Sequence, residues 1–242
     1  MKIIKVDAID STNDFLKEAL HKKALSSPTC VWAKNQTNGR GQRGSKWSSK
    51  SGENLTFSVF YPVPSAIRNT PFVINMLTTI SLYSVLEVYN LVNLKIKWPN
   101  DILSANKKIG GVLIENSYQS GALSGTIIGV GLNVNQTFFE NLPRASSIKS
   151  ILGKSISLEN LLKELLEEMN KRFANYSEFN FEEVKKQFEA LLFRNKKPST
   201  FRAEGVDFPG IIQGVTNNGK LCVLKEDNIL MEYELKEIEL KY

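Results

Sequence analysis

The residues best suited to chemistry in this chain are cations set among glycines. From Gln36 to Trp47 it reads QTNGRGQRGSKW: Gly39, Gly41 and Gly44 alternate with Arg40, Arg43 and Lys46, and no Asp or Glu occurs between Lys34 and Lys50. Glycine lets a backbone approach a ligand closely and reach positive φ. Bare N–H groups and cations together make an anion site. The stretch therefore reads as a loop that wraps a phosphate-bearing molecule; the alternative is a solvated hairpin loop that is basic by chance. The letters also satisfy G-x-G-x-x-G, but a dinucleotide site needs a helix opening on those glycines. Beyond Trp47 the chain instead carries turn chemistry up to Gly52 and then an alternating strand, Leu55–Tyr61, so a Rossmann arrangement is excluded.

The other reactive side chains narrow the chemistry. His21 is the only histidine and sits among lysines, which argues against histidine acid–base catalysis, a Ser-His-Asp triad and histidine metal sites. Cys30 and Cys222 lie far apart and suggest neither a disulfide framework nor a zinc site. Lys, Arg, Asp, Asn and backbone N–H remain. That set suits phosphoryl or nucleotidyl transfer, in which the protein positions groups and neutralises charge and Mg²⁺ supplies the rest. The length of 242 residues fits one large domain, or a large and a small one, and 42% apolar residues suffice for a substantial core. The net charge of +6 is dispersed outside the loop and fits an anionic ligand or an acidic partner. The start, MKIIKVDAID, is too short and charged for a signal peptide, and no apolar run approaches a membrane span. A cytoplasmic protein is expected.

Several elements must position these groups. Ile3–Val6 reads as a strand, followed by a helix with Ser11 as N-cap, Asp14 three residues on, and Phe15, Leu16, Ala19 and Leu20 as its buried face. Capping alone would account for Ser11, Thr12 and Asn13. Strand Cys30–Lys34 leads into the glycine loop and Asn54–Tyr61 leads out. Pro71 to about Tyr89 reads as a buried helix, Leu94–Trp98 as a strand broken by Pro99, and Lys107–Glu115 as a strand containing Gly110 and Gly111. In the strand Ile128–Asn135 the period-2 rule separates an apolar face, Ile128, Val130, Leu132 and Val134, from a face of Gly129, Gly131, Asn133 and Asn135. The second face suits a floor beneath a small molecule, or a helix packed on the glycines. Packing helices are expected from Leu158 to Phe173, with Ser157 as N-cap, and over Phe181–Leu192. Asn195–Pro198 reads as a linker to short strands with an Asn217-Asn218-Gly219 hairpin turn, a small β-barrel of about forty-five residues.

Five segments in this order resemble a biotin protein ligase: Asp10-Ser11-Thr12-Asn13, Gln36 with GRGQRGSKW, KWPND at 97–101, KKIGGVLIE at 107–115 and IGVGLNVN at 128–135. The resemblance implies an α+β fold: a mixed sheet like that of the class II aminoacyl-tRNA synthetases with helices on one face (residues 1–195), and an SH3-like C-terminal domain (196–242). It implies a ligase that joins biotin and ATP into biotinyl-5′-AMP and passes biotin to a lysine of a biotin carboxyl carrier domain, with Mg²⁺ as the metal and no part for DNA or membrane, as a monomer or homodimer. Lys108 and Arg40 would be catalytic. Ser11, Thr12, Asn13, Gln36, Gly39, Gly111 and Gly129 would join them around biotin. Arg43, Trp47, Ser48, Asn100, Asp101, Gly131 and Asn133 would line the adenylate side, Asn100 and Asp101 also meeting the metal. A lipoate or octanoate ligase on a related fold is the nearest rival, disfavoured by the loop together with KWPND. A basic nucleic-acid module is the distant one, disfavoured because the C-terminal segment alternates Lys with Glu.

Two departures from the family pattern stand out. The common loop reads GRGRxGRxW, and here Gln42 and Ser45 replace two arginines. The N-terminal strand begins at Ile3, which leaves no room for the helix-turn-helix of regulatory members. The loop's small residues and like charges also predict that it holds no single shape until ligand contacts offset the cost of ordering it, about 1–2 kcal/mol per residue. With fewer arginines on the phosphate, the unaltered chain should release labelled biotinyl-AMP faster than the double variant Gln42→Arg, Ser45→Arg. Equal off-rates would remove the role given to these two positions.

Overall fold

The computed structural model describes residues 1–63, 67, 69–174 and 180–242, and of Arg43 the backbone only. A seven-stranded mixed sheet forms the larger part. Its strands are β1 (Lys2–Ile9), β2 (Thr29–Gln36), β3 (Leu55–Pro62), β4 (Lys95–Lys97), β5 (Asp101–Ser104), β6 (Lys107–Gln119) and β7 (Ala122–Leu132), in the order β1-β2-β3-β7-β6-β5-β4. Only β1 and β2 run parallel; every other neighbouring pair is antiparallel. A cis Trp98–Pro99 bond turns β4 into β5.

The faces of this sheet differ. Leu55, Phe57 and Val59 of β3 and Ile128, Val130 and Leu132 of β7 join the main core with α2 (Phe72–Glu87), α4 (Leu158–Ala174) and α5 (Phe181–Leu191). α2 is apolar nearly all round and buried along most of its length, as a helix enclosed on several sides must be. The opposite face is covered by α1 (Thr12–His21), whose Leu16 packs with Val31, Phe60 and Ile127. The expectation of helices on one face is thus corrected. α1 begins where expected, with Ser11 Oγ accepting the Asp14 N–H at 3.3 Å. A short helix, α3 (Ile148–Leu152), capped by Ser147, was not expected.

The remaining strands make a five-stranded antiparallel sheet: β8 (Pro198–Ala203), β9 (Val206–Val215), β10 (Leu221–Lys225), β11 (Leu230–Tyr233) and β12 (Glu239–Lys241), in the order β11-β10-β9-β8-β12. Asn217-Asn218-Gly219 makes the β9–β10 hairpin, with Gly219 at φ +88°. Phe201, Ile212, Val223 and Leu240 of this sheet belong to the same continuous core as α5. The segment read as a linker is a bonded turn: Lys196 N donates to Ile212 O at 3.1 Å and Asn195 Nδ2 to Glu189 O at 2.7 Å. Trp98 Nε1 reaches across to Gly219 O at 2.9 Å. Among the described residues no helix is long and apolar enough to cross a membrane.

Candidate active site

The α1 face of the sheet carries cross-strand rows that build a cavity. Antiparallel register places Asp101, Gly111, Gly131 and Thr56 in one row, and Leu113, Gly129 and Ser58 in the next. Because side chains alternate across a strand, these positions all face α1 and the glycine loop. Of these, Asp101, Gly111, Leu113, Gly129 and Gly131 line, with Ser11, Thr12, Asn13, Gln36, Arg40 and Trp47, a cavity of about 240 Å³; Thr56 and Ser58 lie outside its lining.

Three bare strand positions lie directly against side chains. A Cβ at Gly129 would lie 2.3 Å from Asn13 Oδ1, and one at Gly131 2.3 Å from the Trp47 ring. A Cβ at Gly111 would meet Lys108 Nζ and Asp101 Oδ1 at 3.4 Å. The glycine face read from the sequence is thus taken up by protein side chains, as the packing alternative has it: α1 packs on Gly129 through Asn13, and the glycine loop packs on Gly131 through Trp47. That second contact explains why the loop has a defined shape. Trp47 N donates to Gly39 O at 2.9 Å, Gly41 N to Ser45 O at 2.7 Å, and Thr37 N and Asn38 N bond back to Ile9 O and Asp10 O. The Trp47 indole N–H is buried without a hydrogen-bond partner.

Cations stand at two places along the cavity. Lys108 Nζ pairs with Asp101 Oδ1 at 2.6 Å and lies 5.8 Å from the centre of the Trp47 ring. Its backbone is held on both sides, N to Arg144 O at 2.7 Å and O from Ser146 N at 2.9 Å. Arg40 pairs with Asp14 of α1 and, at 3.0 Å, with Glu115 of β6. Glu115 also accepts from Lys17 at 2.5 Å and Asn13 at 2.7 Å. Burial alone would raise the Glu115 pKa; the hydrogen bonds from Lys17 and Asn13 and the charges of Lys17 and Arg40 outweigh it and hold the carboxyl below its ordinary value. For Lys97, burial is the largest influence and lowers its pKa; Asp101 opposes this and Lys108 adds to it.

The polar end is a hydrogen-bonded chain. Gln36 Oε1 accepts from Thr12 N at 2.8 Å and Thr12 Oγ1 at 3.1 Å, Thr12 Oγ1 lies 2.6 Å from Ser58 Oγ, and Ser58 Oγ donates to Asn13 Oδ1 at 2.5 Å. So Ser11 caps, while Thr12 and Asn13 do not and instead bond across the sheet.

Of the residues singled out in the sequence, Ser11, Thr12, Asn13, Gln36, Arg40, Trp47, Asn100, Asp101, Lys108, Gly111, Gly129 and Gly131 come together at this cavity. Gly39 is buried beneath it, packed on the Trp47 carbonyl, and Ser48 is exposed outside it. β7 ends at Leu132; Asn133 then gives its amide to Ser146 O at 3.0 Å, outside the cavity lining. The Arg43 side chain lies outside the described residues. Asn100 Nδ2 is committed to Val112 O at 2.5 Å. The sequence reading missed Ser58, Glu115 and Asp14. Ser58 was visible in principle as a hydroxyl inside an apolar strand, on the same face as Thr56.

A mixed sheet carrying an amide and hydroxyl cluster beside paired cations defines a site for a small polar molecule that meets an anion. The model of the biotin/lipoate A/B protein ligase family matches residues 6–133, and the chain belongs to that family. It is 28% identical over 242 aligned residues to the bifunctional ligase/repressor BirA of Bacillus spizizenii, covering 98% of this chain and 74% of that one. It is 27% identical to the biotin–[acetyl-CoA-carboxylase] ligase of Paracoccus denitrificans, covering 88% and 90%. The structure of the Aquifex aeolicus biotin protein ligase in complex with biotin and ATP superposes with a TM-score of 0.81 at 27% identity, covering 99% and 98%.

The Gly131 contact makes a prediction. Gly131→Val should displace the Trp47 ring and change its fluorescence, a change absent in a Trp47→Phe background. Overpacking of this kind costs about 1–3 kcal/mol, about 2–4 °C in Tm per kcal/mol for a chain of this size. Unchanged emission would mean that Trp47 does not rest on Gly131.

Proposed function

We infer that this chain is a biotin–protein ligase. The biotin carboxylate oxygen attacks the α-phosphorus of ATP, the bond to the β-phosphate breaks, and biotinyl-5′-AMP and pyrophosphate form. The ε-amine of a lysine on a biotin carboxyl carrier domain then attacks the acyl carbon, AMP leaves, and an amide remains. The observation that carries the reading is that one cavity gathers the Thr12–Gln36 hydrogen-bonding pair, the cations Arg40 and Lys108, and Trp47.

The chain's own residues account for the first step. Two anions must approach each other, and a preorganised positive charge in a site that excludes water offsets their repulsion. Lys108 is held from both sides of its backbone and by Asp101, so little of its freedom remains to be lost. We assign it to the carboxylate and the α-phosphate. Arg40, on the loop, exchanges Asp14 and Glu115 for the same charges, and the loop with Trp47 shields the anhydride from water. Gln36 and Thr12 take the ureido ring, because a buried urea left unpaired costs about 1–3 kcal/mol per group.

Magnesium fits this site as a passenger of the triphosphate. Among the described residues no cluster of three or more His, Cys, Asp or Glu side chains could hold a metal alone. Mg²⁺ needs only one or two carboxylates when phosphates and water complete its shell. Asp101 is the carboxylate in place, and Asn100 has given its amide N–H to Val112. When bound, the ion neutralises phosphate charge.

We further place the domain boundary at 195/196, since α5 ends at Leu191 and β8 begins at Pro198. We read the protein as a cytoplasmic monomer or homodimer that acts on a carrier protein rather than on DNA or membrane. Lys108→Ala should keep its fold and lower biotin-dependent pyrophosphate release by about two to three orders of magnitude, the usual cost of one preorganised charge contact. Near-normal release by the folded variant would sink the assignment of Lys108. Mass spectrometry should find one biotinyl group on one carrier-domain lysine, and only when ATP is present.

A further inference from the structure

The polar chain at the biotin end has a direction, and one residue sets it. Glu115 is surrounded by three donors, Asn13, Lys17 and Arg40. An ionised carboxylate accepts and cannot donate. The Asn13 group facing it must therefore be the amide N–H₂, 2.7 Å away, which turns Asn13 Oδ1 toward Ser58. That oxygen only accepts, so the Ser58 hydroxyl proton goes to it at 2.5 Å. Ser58 then has no proton for Thr12, 2.6 Å away, and the Thr12 hydroxyl must donate inward, to Ser58 Oγ or Gln36 Oε1. What Thr12 keeps for the cavity is an acceptor. Gln36 is fixed independently. The backbone N–H of Thr12 can only donate, at 2.8 Å to Oε1, so Gln36 keeps its N–H₂ as a donor beside Gly39. The pocket thus offers a donor and an acceptor side by side, the complement of a C=O next to an N–H.

We propose that Glu115 is a positioning residue that, through Asn13 and Ser58, makes the Thr12 hydroxyl an obligate acceptor and so selects a ring N–H beside the ureido carbonyl. The proposal rests on the biotin reading above. Glu115 touches no reacting atom; it acts through Asn13 and Ser58. Gly129 belongs to the device, because any Cβ there would strike Asn13 Oδ1 at 2.3 Å.

Glu115→Gln tests it with almost no change of shape. A glutamine can also donate, so Asn13 can flip, Ser58 can donate to Thr12, and the Thr12 proton becomes free for the ligand. Titration calorimetry on the full chain would measure Kd for biotin, for the two cyclic carbamates in which ring oxygen replaces either ureido N–H, and for iminobiotin, in which C=NH replaces C=O. In Glu115→Gln the preference for biotin over one carbamate should fall about tenfold or more, while the preference over iminobiotin, read by Gln36, should hold. Ser58→Ala, which cuts the chain at its middle, should move the carbamate ratio in the same direction. Lys17→Gln leaves the carboxylate an acceptor and should leave both ratios unchanged.

Unmoved ratios in Glu115→Gln would overturn the proposal. So would a parallel fall of both ratios, the mark of a merely loosened pocket, or a Lys17→Gln variant that shifts the carbamate ratio as far as Glu115→Gln does. Failure of the unaltered chain to bind biotin would instead overturn the parent reading, and the proposal with it.

Discussion

Joining two anions demands cations in a confined space, and cations in a confined space demand counter-ions. This constraint organises the site. Lys108 stands on Asp101, and Arg40 stands between Asp14 and Glu115. Side-chain exposure is about 40% for each cation against about 20% for Asp101 and Glu115, so these two carboxylates lie deeper than the cations they hold, whereas Asp14 is as exposed as Arg40. The cations are thereby presented to the cavity with their positions fixed and remain free to exchange partners. Asp14 sits in the first turn of α1, where a carboxylate is also favoured by the helix N-terminus. The same residue thus supports the helix and holds the loop arginine.

The second constraint is closeness of approach. Asn13, Trp47 and Lys108 each lie over a strand glycine, at Gly129, Gly131 and Gly111. With no Cβ atom at these three positions, α1 and the glycine loop settle directly on the sheet, and the cavity forms between them. The apolar faces of the same strands meet α2, α4 and α5, so the sheet carries its main core on one side and, under α1, a small core and the cavity on the other. The division comes from the two-residue period of a strand and needs no further device.

Much of this was legible in the sequence, for identifiable reasons. The alternation of β7 separated its apolar and glycine faces correctly, and Ser11 announced the start of α1 because a cap is a local interaction. What failed depended on partners distant in sequence. Ser58 and Glu115 bond to α1 from β3 and β6; only the sheet register brings them there. The strand pattern was carried through to Asn135, whereas β7 stops at Leu132 and Asn133 and Asn135 turn their amides to Ser146 and Ile156. Small, polar composition gave no sign of where the loop docks; the Trp47 ring sets it over Gly131 of β7. The periodicity of α1 was readable, but the face of the sheet that it covers was not, because that depends on the pairing of Leu16 with Val31, Phe60 and Ile127.

The central claim is that this cavity activates biotin as an acyl-adenylate. Exchange of labelled pyrophosphate into ATP tests it most directly, because it reports reversible adenylate formation without any carrier protein. The exchange should require biotin and should not proceed with lipoic or octanoic acid. Exchange supported by lipoic or octanoic acid and not by biotin would contradict the claim.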